Sequence, residues 1–247
     1  MHKNTIIIIP TYNEAENIGP LIKELFSLGI YVSVLVIDDN SPDGTYQLVK
    51  ELQSRCANLY LIKRAKKLGL ASAYIEGFNF ALKEKFDAII QMDADLSHPP
   101  DCIPRMLSLL DKYDLIIGSR YIKGGNVSDW PLSRVLLSRL ANIFAKTMLS
   151  IPIKDSTSGF KCIKKDVLEN IDFNAISCRG YVFQIEIVLR ALSNGFKLAE
   201  TPIIFEGRKK QKSKMSFAII FEAFFYIFYL SFIRLLKFKK RKKVSTA

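Results

Sequence analysis

A mostly parallel α/β sheet, covered by helices on both faces, is the architecture that this chain predicts. Three observations carry it. Short β-branched runs alternate with segments of helical period through the first two-thirds of the sequence. The runs are apolar throughout rather than alternately polar, as strands buried on both faces are. Each run also ends in polar or Gly/Pro punctuation.

Thr5–Ile9 reads as the first strand, and Ile18, Leu21, Ile22, Leu25 and Phe26 then recur with helical period. Val34–Ile37 is the second strand, followed by a helix carrying Leu48, Val49 and Leu52. Leu59–Ile62 precedes a helix over Ala71–Lys85, with Ala73, Phe78, Ala81 and Leu82 available to one side. Ala88–Met92 leads to a helix at Ile103–Leu110, and Leu115–Ile117 is the fifth strand. Beyond it come a helix over Leu132–Leu149, the polar turn "KDSTSGF" and a strand-like "KCIKK". A helix from about Tyr181 to Asn194, closed by Gly195, precedes the strand "LAETPIIF". Ligands of such sheets sit at the carboxyl ends of the strands. The segments "PTYNE", "DDNSPDG", "KRAKKLGLA", "DADLSHPP" and "GSRYIKGG" should therefore gather at one edge.

The 247 residues fit one large domain, or one domain plus a tail, and suffice to bury a sizeable core. The start, "MHKNTIIIIP", lacks the apolar stretch of a signal peptide. Four cysteines without C-x-x-C spacing indicate neither zinc nor a disulfide framework, so a reducing, cytosolic setting is expected. The net charge of +12 is uneven: residues 206–247 hold twelve Lys/Arg and two acids, and the rest is nearly neutral. The charge therefore describes the tail's partner, and nucleic acid is not expected. Phe217–Ile233, interrupted by Glu222 and followed by "RLLKFKKRKK", reads as an amphipathic helix lying in a membrane interface. A membrane span and a helix packed on the core or on a partner are the alternatives. The chain thus divides into a body over residues 1–216 and a hydrophobic helix with a basic tail over 217–247.

Chemistry concentrates at "QMDADLSHPP", where Asp93 and Asp95 stand two apart at a strand end. In extended geometry residues i and i+2 point the same way, so both carboxylates can address one hard cation. Mg²⁺ takes few protein carboxylates and leaves the remaining places to water and phosphate oxygens, so two suffice. In "VIDDNSPDGT", Asp43 or Ser41 is explained in part as a turn and helix-cap residue. Asp38 and Asp39 are not, and would suit ribose or base hydrogen bonds.

The segments "IIPTYNEAENI", "VLVIDDNSPDGT", "KLGLASAYIEGF", "MDADLSHPP", "IIGSRY", "DWPLSR", "TSGF", "GYVFQIE" and "GRKKQKSKM" occur in this order. Together they resemble the dolichol-phosphate mannose synthases, polyprenyl-phosphate hexose synthases among the family 2 inverting glycosyltransferases. The likeness covers residues 4–216. It implies a GT-A nucleotide-sugar fold in which Pro10, Tyr12 and Glu14 hold the guanine nucleotide, with Ile37 and Asp39 beside them. It further implies Asp93 and Asp95 as ligands of Mg²⁺ or Mn²⁺. Arg120, Arg134, Ser138 and Arg208 match positions that grip the donor and acceptor phosphates, and Lys214 matches the Lys of a Gly-x-Ser-Lys stretch whose glycine is here Gln211. Ser97 stands where many members have Gln.

The partners so implied are GDP-mannose, dolichyl or polyprenyl phosphate and a membrane surface, with a small membrane subunit as a further possibility. The location implied is peripheral, or held by one C-terminal span, at the cytoplasmic face of a membrane. Related enzymes with hydroxyl acceptors carry an acidic pair where this chain has Phe183 and Gln184. A phosphate acceptor, with a second pKa near ~6, needs no base but needs cations to seat it. Trp130 is read as a loop anchor, and His98 as structural or as support for the acidic pair. Glu186 is read equally as a site carboxylate or a structural acid, while Tyr181 and Gln184 are candidates to line the acceptor cleft. A transferase using UDP-glucose and a non-catalytic basic membrane-binding module are the competing readings.

Overall fold

The computed structural model describes residues 4–176, 180–207 and 224–232. Its main sheet has seven strands: β1 (Thr5–Thr11), β2 (Ser33–Asp38), β3 (Leu59–Lys63), β4 (Ala88–Gln91), β5 (Leu115–Ser119), β7 (Lys161–Lys164) and β8 (Leu198–Pro202). Their order is β3-β2-β1-β4-β7-β5-β8, and every pairing is parallel except those of β7 with β4 and β5. A second sheet of two short strands pairs β6 (Asn126–Val127) with β9 (Ile204–Phe205). The helices are α1 (Ala15–Phe26), α2 (Thr45–Gln53), α3 (Leu70–Lys83), α4 (Ile103–Leu109), α5 (Leu132–Leu149), α6 (Lys165–Glu169) and α7 (Tyr181–Ser193). Residues 224–232 form a further helix, α8.

The unbroken apolar runs are explained by cores on both faces of the sheet. Ile6, Ile8, Leu35 and Ile37 pack with Phe78 of α3 and Phe183 of α7. Ile7, Ile9, Val34 and Val36 face the other way, toward Leu21 and Leu25 of α1 and Met106 of α4. The four isoleucines of β1 are fully buried, each stabilising the fold by about 1.5–3 kcal/mol. Helix α3 lies so near the sheet that a Cβ on Gly77 would stand 2.6 Å from Ile8 Cγ2 and 2.9 Å from Ile37 Cδ1.

Three features depart from the sequence reading. The "KCIKK" strand enters the middle of the sheet antiparallel, between β4 and β5. "LAETPIIF" is split, since β8 extends the main sheet while β9 leaves it to pair with β6. The short helix α6 was not expected, because five residues carry too little periodicity to show.

Helix α8 is docked on the body. Ile227 and Leu230 are buried, Phe224 stacks on Phe144 of α5 at 4.7 Å, and Ser231 Oγ donates to the Met148 carbonyl. Tyr226 donates to Glu186 Oε2 at 3.0 Å, and Arg190 donates twice to Glu186 Oε1. Glu186 is thus a satisfied structural acid that ties α8 to α7. Phe225, Phe228 and Phe232 face outward. Among the described residues no helix is long and apolar enough to cross a membrane. The remainder of the expected tail helix and its basic run lies outside them.

Candidate active site

Because β1, β2, β4 and β5 run parallel, their carboxyl ends meet at one edge, where a cleft of about 370 Å³ opens. Each of the five strand-end segments contributes to it: Pro10, Tyr12 and Glu14; Asp39; Lys67 and Gly69; Asp93 and Asp95; and Arg120. A larger cleft, about 980 Å³, lies across the 95–97 turn. Its walls include Glu14, Glu16, Glu24, Asp43, Asp101 and Glu206 and, among the described residues, no Lys or Arg. An anionic diphosphate is repelled there, whereas the smaller cleft sets Lys67, Arg120 and Arg134 beside its carboxylates.

The two neighbouring aspartates of the second segment have different work. Asp38 is fully buried and accepts from Thr11 Oγ1 at 3.0 Å, Ser41 Oγ at 2.5 Å and the Ser41 N–H at 2.9 Å. It clamps two strand ends together, which corrects the expectation of a ribose or base contact there. Asp39 does reach the cleft. Its Oδ2 accepts from the Leu68 and Gly69 N–H groups at 3.2 and 2.9 Å, and Arg64 Nη1 stands 2.7 Å from Oδ1. Gly69 holds φ at +93°, the left-handed backbone that starts α3 beneath this contact.

Asp43 accepts from Thr45 and Ala15. Burial works to raise its pKa, but those hydrogen bonds outweigh it and leave the carboxyl below the usual range. Ile37 is fully buried with its side chain in the sheet core, so it is a wall of the core rather than of the cleft. The Lys67 ammonium sits 3.5 Å over the Tyr12 ring. Sequence reasoning had marked its segment but not this residue.

Asp93 and Asp95 follow β4. Tyr74 donates to Asp93 Oδ1 at 3.3 Å, and burial followed by the Asp93 charge raises the phenol's pKa, so it stays a donor. The Asp93 N–H donates to His98 Nδ1 at 3.0 Å, which leaves the proton of the neutral ring on Nε2. Burial, the largest cause, lowers the His98 pKa. The ring stacks on Phe160 at 5.1 Å and meets Phe205 edge-on. His98 therefore supports Asp93 as a neutral, buried ring.

Asp95 Oδ1 accepts from the Ser97 N–H at 3.1 Å. Ser97 Oγ is buried with no hydrogen-bond partner. The Asp93 and Asp95 carboxylates, both in the cleft wall, offer the hard oxygen donors that suit Mg²⁺ or Mn²⁺. Among the described residues no three His, Cys, Asp or Glu side chains could hold an ion unaided. A cation held here would complete its shell with water and phosphate oxygens, as Mg²⁺ does.

A second cavity, about 590 Å³, adjoins the cleft. It is walled by Leu137, Leu140, Ala141, Ile143, Phe144 and Met148 of α5, Val182 and Ile185 of α7, and Phe224 and Ile227 of α8. Arg120, Trp130, Arg134 and Thr157 line both chambers. Trp130 packs edge-on against Phe205, and the Arg134 guanidinium lies 3.8 Å over its indole ring. It is an anchor and a wall at once. Ser138 lines the apolar cavity and accepts from the Tyr121 hydroxyl at 2.7 Å. Arg120 is paired with the fully buried Asp155, a residue that sequence reasoning missed.

Gln184 is buried away from the cleft, and its Oε1 accepts from Lys161 Nζ at 2.6 Å. Lys161 is itself fully buried and also donates to the Ser158 carbonyl. Desolvation brings its pKa down to about 7. Gln184 therefore belongs to a core polar pair and does not line the acceptor cleft. Arg208, Lys214 and the side chain of Tyr181 lie outside the described residues.

An open, mostly parallel sheet whose carboxyl edge gathers an acidic pair and a wall bearing Arg120 and Arg134 is the framework of a glycosyltransferase of the GT-A type. The chain belongs to glycosyl transferase family 2, whose model matches residues 6–172. It is 41% identical over 225 residues to the polyprenol monophosphomannose synthase of Mycolicibacterium smegmatis, covering 90% of this chain and 85% of that one. It is 38% identical to the undecaprenyl-phosphate mannosyltransferase of Micrococcus luteus, over 88% and 90% of the two chains. A mannosyltransferase of Pyrobaculum calidifontis, solved with GDP-mannose and Mn²⁺, shares the fold with a TM-score of 0.59 at 15% identity, over 86% of this chain and 59% of that one.

Proposed function

We propose that this chain transfers mannose from GDP-mannose to a polyprenyl monophosphate of the dolichyl type, with inversion at the anomeric carbon. The observation that carries the reading is the wall of Arg120, Trp130, Arg134 and Thr157 common to a polar chamber and an apolar one. A nucleotide sugar fits the first, beside Tyr12, Asp39 and the acidic pair. An isoprenoid chain fits the second, and the two phosphates meet at the arginines. The relatives named for polyprenol and undecaprenyl-phosphate mannose transfer support the same pairing of substrates.

Tyr12 and Asp39 receive the nucleoside, while Asp93 and Asp95 would hold Mg²⁺ or Mn²⁺ against the diphosphate. When bound, that cation offsets charge developing on the leaving group. Arg134 and Ser138, with Arg208 and Lys214 from the resemblance, seat the acceptor phosphate. That phosphate is already largely anionic at pH 7, its second pKa being near ~6, so no general base is required. The burial of Gln184 agrees. An oxygen of the lipid phosphate then attacks the anomeric carbon from the face opposite the departing nucleoside diphosphate, and positioning supplies much of the acceleration.

The chain acts peripherally at a membrane surface, its cytoplasmic face by this reading. Leu132, Leu136, Leu140 and Ile143 of α5 are all more than half exposed and lie along one stripe, next to the outward aromatics of α8. A small membrane subunit seated on this face is the alternative, and binding of the isolated chain to bare liposomes separates the two. The decisive assay offers radiolabelled GDP-mannose or UDP-glucose with polyprenyl phosphate and Mg²⁺ or Mn²⁺. Transfer from GDP-mannose that disappears on chelation is expected. Equal transfer from UDP-glucose would move the assignment to another hexose donor.

A further inference from the structure

We propose that Asp155 and Asn142 are positioning residues that form a preformed socket for the Arg120 guanidinium, and that Arg120 serves the acceptor phosphate through its fixed orientation. This rests on the acceptor site described above. Arg120 does not enter that site as a loose cation. Its backbone N–H and Nε both donate to Asp155 Oδ2, at 2.9 and 2.7 Å. Its Nη2 donates to Asp155 Oδ1 at 2.6 Å and to Thr157 Oγ1 at 2.9 Å. A buried pair of opposite charges adds no net charge to the cleft, and burying both ions carries a large desolvation cost. What the pairing provides is geometry: the Nε edge fixes the plane of the guanidinium. Its central carbon then stands 5.5 Å from the Trp130 ring centre, on the wall that both chambers share.

The socket is itself held from two sides. The Asp155 N–H donates to Glu200 Oε1 at 3.0 Å, and the Lys154 N–H to Glu200 Oε2 at 2.9 Å. Asn142, buried on α5, has Nδ2 within 3.0 Å of the Ser138 carbonyl, 2.9 Å of Thr157 Oγ1 and 3.4 Å of Asp155 Oδ1. Its Oδ1 accepts from Ser156 Oγ and the Thr157 N–H, each at 3.2 Å. Such a satisfied buried network is rigid and specifies one arrangement. Through Asn142 the 155–158 loop is joined to α5 one turn from Ser138 and two turns from Arg134. Arg120, Ser138 and Arg134 are therefore presented to a phosphate as one unit.

The test uses transfer kinetics together with the fluorescence of Trp130, the only tryptophan in the sequence. That signal reports polyprenyl phosphate binding without turnover. Arg120→Ala should lose most transfer, and added methylguanidinium should restore it by about tenfold, since a bidentate carboxylate can hold a free guanidinium. The Arg120→Ala/Asp155→Ala variant should show no rescue. Asp155→Asn should lower kcat by about 10²-fold, the order expected when positioning is lost. Its affinity for GDP should stay unchanged, which also checks the fold. Asn142→Ala, a milder change, should raise the acceptor KM several-fold at unchanged GDP affinity.

Absence of rescue in the single variant would overturn the socket, as would equal rescue in both variants. Wild-type kinetics and lipid-phosphate binding in Asp155→Asn would do the same. If the wild-type chain binds polyprenyl phosphate without transferring mannose, the proposed reaction fails while the binding titrations still judge the socket. If it binds no lipid phosphate, both fall.

Discussion

On the proposed reading, the donor and acceptor halves of the molecule solve opposite problems. Around β1, β2 and β4 the carboxylates are wired into the fold: Asp38 to Thr11 and Ser41, Asp39 to Arg64 and two backbone N–H groups, Asp93 to Tyr74. Around α5 the walls are apolar, and Leu132, Leu136, Leu140 and Ile143 are exposed together as one stripe. A ligand arriving from water is met by polar groups oriented before it binds, which need no reorganisation during reaction. One arriving from lipid is met by apolar walls, with Arg120, locked on Asp155, and Arg134, stacked on Trp130, at the boundary. The proposed ligands account for the difference, since one comes from water and the other from lipid.

The largest effect that would break this contrast lies in the donor half. Asp95→Ala should lower kcat for mannose transfer by on the order of 10²–10³-fold, and chelation of the wild type should do the same. Retained turnover would remove the acidic pair from the reaction.

Next comes packing beneath that half. Gly77→Val places a side chain where a Cβ already meets Ile8 at 2.6 Å, and thermal unfolding should show a loss of about 1–3 kcal/mol. A comparable change at the exposed Ala141 of α5 should leave Tm unmoved.

Lys161, between the halves, sharpens the comparison through pH. Its pKa is about 7 in the fold, brought down from 10.5 by desolvation. The unfolded chain therefore binds more protons between those values, and wild-type stability gains as pH rises through that window. Below the folded pKa the cost is fully present. Lys161→Met should be more stable than the wild type by about 1 kcal/mol near pH 6. Denaturant titrations should show that advantage fading, then reversing, toward pH 10, where the variant still lacks the hydrogen bonds to Ser158 and Gln184. A pH-independent difference would mean that the lysine keeps its ordinary pKa in the fold and is as charged there as in the unfolded chain.

The smallest effect tests the acceptor face. Leu132→Asp together with Leu136→Asp should reduce partitioning onto anionic liposomes several-fold while the unfolding midpoint stays within the range of ordinary surface changes. Unchanged partitioning would detach α5 from the membrane reading.

Much of the architecture was written locally. Periods of 2 and 3.6 are properties of neighbouring residues, so strand and helix order, the sheet's carboxyl edge and the place of Asp93 and Asp95 just past a strand could be read along the chain. Pro10, Tyr12, Glu14, Asp39, Arg120, Arg134 and Ser138 were singled out by the family resemblance rather than by periodicity, and they do line the two chambers. Where a buried polar group finds its partner is another matter. Arg120 and Asp155 lie 35 positions apart, Thr11 and Asp38 27, and Glu186 and Tyr226 40. Those pairings depend on strand order and helix docking, which no local pattern carries. The antiparallel entry of β7 between β4 and β5 places Lys161 in the core rather than at a surface, and the docking of α8 turns Tyr226 inward while its aromatic neighbours face out. Hydrophobic periodicity says that a side is buried; the three-dimensional arrangement alone chooses what it is buried against.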